Sequence, residues 1–199
     1  MKKELKSLLM VGSVAFGLVF DVSSQSLDRY EVPASPYDSY MGAFKTVAAR
    51  GSADRQITID EVSHWTEEAS SIRYEHLSAY EWKSPAEVDA TGTGDCKDKA
   101  LWLYAKLTEA GARDLEIVVG KKNSRSNEYH AWLYLTLGGR SYLLDPTYSG
   151  SVADLSEFRD DEYLPAYSYT ASKVFAYRSA ASSVAGVNDP RYLPVASMQ

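Results

Sequence analysis

Two adjacent glycines, Gly138 and Gly139, separate two apolar stretches, YHAWLYLTL over 129–137 and RSYLLDPTY over 140–148. A two-residue Gly–Gly link between such stretches predicts an antiparallel hairpin, because the favoured tight turns need positive φ. The link also sets the register. With Leu137 opposite Arg140, the residue numbers of each opposed pair sum to 277, which puts Asp145 opposite Trp132. Trp132 lies two residues from His130, so both point to one face. Asp145 and His130 become diagonal neighbours, roughly 6–8 Å apart at the backbone. A one-residue slip would send them to opposite faces.

The rest of the chain is read around this hairpin. Residues 25–40 are Pro- and Ser-rich and read as an extended lead-in. Residues 41–50 suit a short helix ended by Gly51. Over 57–77, Val62, Trp65, Ala69, Ile72 and Leu77 recur at helical spacing. Ser84 followed by Pro85 reads as a capped helix start, and Gly92 and Gly94 then interrupt the chain. From Asp95 to Ala110, apolar positions at Ala100, Leu103, Tyr104, Leu107 and Ala110 predict a helix closed by Gly111. LEIVVGK, 115–121, is β-branched and predicts a strand. After Pro146 the pattern loosens, and 179–199 reads as a mobile tail. Helices first and strands second predict an α+β fold with a helix packed on an antiparallel sheet.

Charge and composition narrow the function. The chain has 199 residues and a net charge of −6, with 45% hydrophobic and 24% charged residues. That is a globular composition with room for one core. The acidic balance argues against nucleic acid as a partner. The first residues, MKKELK, are basic, and the 13-residue apolar run LLMVGSVAFGLVF follows. The run is short for a membrane span. With Val22 and Ser24 before Gln25, residues 1–24 read as a signal peptide for export, to the periplasm or beyond. Apart from this segment, no membrane partner is expected. Its loss removes Lys2, Lys3 and Lys6 with Glu4 and Asp21, leaving a net charge of −7.

Export makes the single cysteine informative. Oxidising compartments favour paired cysteines, and a lone thiol there is either an inert buried group or a reactive one. Cys96 sits in TGTGDCKDKALWLY, after a Gly-rich approach and at the start of the predicted helix. A helix N-terminus favours thiolate. Such a nucleophile needs a base and the base an orienter. His64 and His76 lie in the helical part, whereas His130 is paired with Asp145 by the hairpin. No GxSxG follows the signal segment, and no zinc, P-loop or dinucleotide pattern occurs.

Three blocks, Gly94-Asp95-Cys96-Lys97-Asp98-Lys99-Ala100, His130-Ala131-Trp132 and Leu144-Asp145-Pro146-Thr147, resemble the bacterial transglutaminase-like cysteine proteinases. Trp82-Lys83-Ser84-Pro85-Ala86-Glu87 is similar to that family's lead-in, and Tyr163 to Tyr169 to its C-terminal block. The resemblance spans residues 55–178. It implies a papain-like α+β core, with Cys96 as nucleophile, His130 as general base and acid, and Asp145 as the orienter of His130. It implies a protein or peptide substrate and hydrolysis through a thioester. Trp82 is a candidate contributor to the oxyanion hole or groove wall. Some members bind calcium through acidic residues around the cysteine. Asp95 and Asp98 match that pattern, and Lys97 replaces the acidic residue between them, which weakens a calcium site. No cofactor is otherwise required. The same triad suits a transglutaminase or deamidase, and a non-catalytic binding module of the same fold stays open. Oligomeric state is not legible.

Mass spectrometry of the protein recovered outside the cytoplasm is expected to show a chain beginning at Gln25. Recovery of a chain that retains Met1, held in the membrane fraction, would instead establish an uncleaved anchor.

Overall fold

The computed structural model describes residues 28–178 except 52, 78–80, 149, 151 and 160. The signal segment and the tail read from the sequence lie outside the described residues. In chain order the elements are β1 (Arg29–Val32), α1 (Gly42–Ala48), α2 (Ile59–Ser71), β2 (Arg73–Tyr74), α3 (Pro85–Thr91), β3 (Thr93–Gly94), α4 (Cys96–Glu109), β4 (Asp114–Asn123), β5 (His130–Leu137), β6 (Arg140–Leu144), β7 (Val152–Asp154), a 3-10 turn (Leu155–Glu157), β8 (Glu162–Tyr169) and β9 (Val174–Tyr177).

The hairpin forms in the predicted register. Leu137 pairs with Arg140 and Leu133 with Leu144, and Gly138 and Gly139 take φ of 60° and 79°. Both glycines are therefore in the left-handed region that a tight two-residue turn demands. Around the hairpin a seven-stranded sheet builds in the order β1-β9-β8-β4-β5-β6-β7. Every neighbouring pair in it is antiparallel. A separate two-stranded parallel pair joins β2 to β3.

Helix α4 lies on the sheet face and is flanked by α2 and α3. Its apolar residues are buried nearly all the way round, including Leu101, Leu103 and Leu107. A helix enclosed in this way needs no polar face. Each of those leucines contributes about 1.5–3 kcal/mol of transfer free energy. Ala131, Leu133 and Leu135 of β5 face this helical core, with Phe44, Val47 and Tyr37 from the N-terminal part. Trp132 and Tyr134 point the other way, into a second cluster with Val118, Leu143 and Tyr163.

Four sequence expectations differ from the structure in instructive ways. The lead-in is part of the sheet, since β1 pairs with β9 from Arg29↔Tyr177 to Val32↔Val174. The segment expected as one helix to residue 77 ends at Ser71, and Ile72 turns extended at ψ 125°. There Tyr74 pairs with Gly94 instead, so tertiary pairing overrides helical periodicity. The strand expected to reach 148 stops at Leu144. Asp145 Oδ1 accepts the backbone N–H of Thr147 at 2.9 Å, an Asx-type turn that bends the chain away. Finally, the loosely patterned residues after Pro146 supply β7, β8 and β9. Their alternation is masked by tyrosines buried on both faces, as at Tyr163 and Tyr167. Among the described residues, no helix is long and apolar enough to cross a membrane.

Strand β4 carries a register shift against β8 between Val119 and Gly120, and Gly120 pairs with His130 on its other side. A Cβ at Gly120 would lie 2.2 Å from the Leu164 carbonyl oxygen and 2.7 Å from the Trp132 ring. Gly120→Ala is expected to lower the unfolding free energy by about 1–3 kcal/mol in urea titration. An unchanged midpoint would show that β8 yields freely at the bulge.

Candidate active site

The N-terminus of α4 is built by a reciprocal cap. Asp95 is extended, and its Oδ1 accepts from the backbone N–H of Lys97 at 3.1 Å and of Asp98 at 3.4 Å. Asp98 Oδ2 accepts the Asp95 N–H at 3.2 Å. The aspartates beside the cysteine therefore turn away from the sulfur to cap the helix, and Cys96 is its first residue. The thiol is half-buried. It sits where the unpaired N–H groups and the helix dipole favour negative charge.

His130 opens β5 and is buried, at 6% exposure. Its Nε2 lies 2.9 Å from Asp145 Oδ2. The Cys96 side chain lies within electrostatic reach of the same ring. Since an ionised carboxylate only accepts, Nε2 donates to Asp145, which leaves Nδ1 for the thiol. Trp132 stacks beneath the imidazole at 5.9 Å and the Tyr148 ring meets it edge-on at 5.0 Å. Burial by itself pulls the imidazole pKa down. The hydrogen bond to Asp145 and the attraction of Asp145 and the Cys96 sulfur overcome it and raise the value to about 9.

Asp145 has no exposed surface. Burial would push its carboxyl up, yet it is held below the ordinary carboxylate value by His130, Tyr163 and the Thr147 N–H. The Tyr163 hydroxyl donates to Oδ2 at 2.7 Å. Tyr163 was legible only as part of a block. Its reach to Asp145 depends on β8 lying two strands from β5, and its φ of 48° is unusual for a tyrosine. His64 and His76 are both exposed, and neither joins this chain of bonds.

Trp82 is half-buried beside the helical core. Its indole Nε1 is buried and has no partner among the described residues. The exposed Tyr74 and Tyr148 lie within electrostatic reach of Cys96 and of each other. A cavity of about 370 Å³, lined by Arg55, Gly111, Leu135 and Leu137 among others, lies at the far end of β5 and is remote from this chemistry.

Asp95 and Asp98 do not fit a calcium ion. Asp98 Oδ1 accepts the Lys83 N–H at 2.8 Å, and Asp95 Oδ2 binds the Lys97 ammonium. Each carboxylate oxygen already has a donor, whereas calcium takes six to eight oxygens. Among the described residues, no group of three or more His, Cys, Asp or Glu is arranged to hold a metal. The Asp98 carboxyl is pushed up to about 6, by burial first and then by repulsion from Asp95.

No family profile and no curated protein matches the chain. Solved structures do. Legionella pneumophila LapG aligns with a TM-score of 0.52 at 22% identity, covering 72% of this chain and 81% of that one. A calcium-bound structure of the same protein aligns at 0.53 and 23%, covering 69% and 77%. These likenesses show a transglutaminase-like fold with an α+β, papain-like core.

The raised His130 pKa carries a stability signature. A folded-state value above the ordinary 6.5 means that the contribution is fully present below about pH 6.5 and is lost as pH rises through about 9. Urea titrations of wild type and His130→Gln are expected to show a difference that shrinks across that window. A constant difference would mean that His130 is not held as an imidazolium.

Proposed function

We propose that this chain is an exported cysteine peptidase that hydrolyses protein amide bonds through Cys96, His130 and Asp145. One observation carries the reading: a single buried imidazole bonds a carboxylate that is itself held by a phenol and a backbone amide, and lies within electrostatic reach of the chain's one thiol at a helix start. A packing histidine has no need of both partners. The transglutaminase-like fold supports the same reading. The basic start and apolar run of residues 1–24 support export.

The chemistry follows from the geometry. His130 takes the thiol proton, and the raised imidazole pKa together with the helix terminus favours the thiolate–imidazolium pair. The sulfur attacks the amide carbonyl. The carbonyl oxygen gains negative charge, and two groups are candidate donors to it. One is the Cys96 backbone N–H, which the Asp95 side chain leaves uncapped. The other is the orphan Trp82 Nε1. His130 gives its proton to the departing amine, leaving a thioester on Cys96. The imidazole then takes a proton from water, hydroxide adds to the thioester, and the acid leaves as the thiol is restored. Asp145 keeps Nε2 protonated throughout, so Nδ1 is always the working nitrogen.

Hydrolysis of an unfolded protein substrate is expected to fall by roughly 10³-fold or more in Cys96→Ala and His130→Ala. In Trp82→Phe, kcat is expected to fall about 10²-fold with little change in KM. Activity surviving in Cys96→Ala would sink the reading. Incorporation of an added primary amine in preference to water would replace peptidase by transferase.

A further inference from the structure

We propose that the Lys97 ammonium is a built-in cation that holds the Asp95–Asp98 cap, so that the position of Cys96 does not depend on calcium. Lys97 is the second residue of α4 and is only 2% exposed. A buried ammonium is tolerated only when it is paired and hydrogen-bonded. Its partner is Asp95 Oδ2, in an ion pair in which both side chains are almost wholly buried.

Asp95 therefore works with both oxygens. Oδ1 caps the helix, and Oδ2 is anchored by Lys97. Without that anchor, two buried carboxylates would stand three residues apart at one helix terminus with no buried cation beside them. Lys83 is no substitute. Its ammonium binds Glu75 and Thr93, and it meets Asp98 only through its backbone N–H. Lys99 is also buried, but its ammonium donates to the Ser70 carbonyl.

The consequence for Cys96 is mechanical. Gly94 approaches so closely that a Cβ there would lie 2.8 Å from Asp98 Cβ. The turn into the helix thus rests directly on the Asp98 side chain. Holding Asp95 and Asp98 holds the first turn, and the thiol is the first residue of that turn. A bound calcium ion could neutralise such a carboxylate pair, but its occupancy would follow the surrounding concentration. A covalently attached ammonium is always present. Lys97 is a positioning residue and touches no reacting atom.

This inference builds on the peptidase reading, and its test reads the thiol and the fold without a substrate. The full chain would be compared in EGTA and in millimolar calcium by thermal melting and by the pH profile of Cys96 alkylation with iodoacetamide. For wild type, both are expected to be the same in the two buffers. Lys97→Met removes the charge but keeps the length. It should melt lower and lose alkylation rate by roughly tenfold near neutral pH, with no rescue by calcium. Lys97→Glu adds a third carboxylate and should be impaired in EGTA and restored by calcium. A wild type whose melting rises with calcium would overturn the proposal. So would a Lys97→Met variant with the wild-type alkylation profile. If Lys97→Glu does not fold in either buffer, wild type and Lys97→Met still decide. Loss of peptidase activity with these outcomes intact would sink the peptidase reading alone.

Discussion

The buried carboxylate of Asp145 is the point on which the site hangs. A charge with no exposed surface is costly unless donors surround it. Here the donors come from three places: His130 at the start of β5, Tyr163 on β8 and the turn just after β6. Each must be in register for the carboxylate to be satisfied. The sheet order β8-β4-β5-β6 is therefore also the condition for an ionised Asp145. Hydrogen bonds to a charged group contribute about 1.5–3 kcal/mol each, so the same bonds that orient the imidazole also tie the strands together.

The second support is the terminus of α4. Its cap uses two aspartates and a buried lysine immediately around the thiol. The charges nearest Cys96 in sequence are thus consumed in holding the helix start. What the sulfur meets is an imidazole and the end of a helix dipole. Stability and reactivity are assigned to different residues within one short stretch. That separation lets strongly acidic neighbours coexist with a thiol placed at the positive end of a helix.

Much of this was legible in the sequence because it is local. The Gly138–Gly139 turn determines register by itself, and the register brings His130 to Asp145. The helix beginning at Cys96 announces itself through Asp95, Asp98 and the spacing of Ala100, Leu103, Tyr104 and Leu107. Ser84 with Pro85 marks α3 for the same reason, and its cap is present as a full box with Glu87. Caps and tight turns are governed by the conformational preferences of a few adjacent residues, so a short window suffices to read them.

Other features were decided only by the tertiary structure. The lead-in became an edge strand because β9 offered it an unpaired edge. Helix α2 stopped at Ser71 because the chain beyond it pairs with Gly94. Tyr163 became a donor to Asp145 because β4 lies between β8 and β5. Lys97 is legible in the sequence only as the residue between Asp95 and Asp98, and its enclosure comes from the fold. Each of these depends on partners distant along the chain, and burial is a property of what surrounds a residue. The sequence alone settled the hairpin, its register and the helix that carries the thiol. The packing of distant strands and helices decided which side chains close around them.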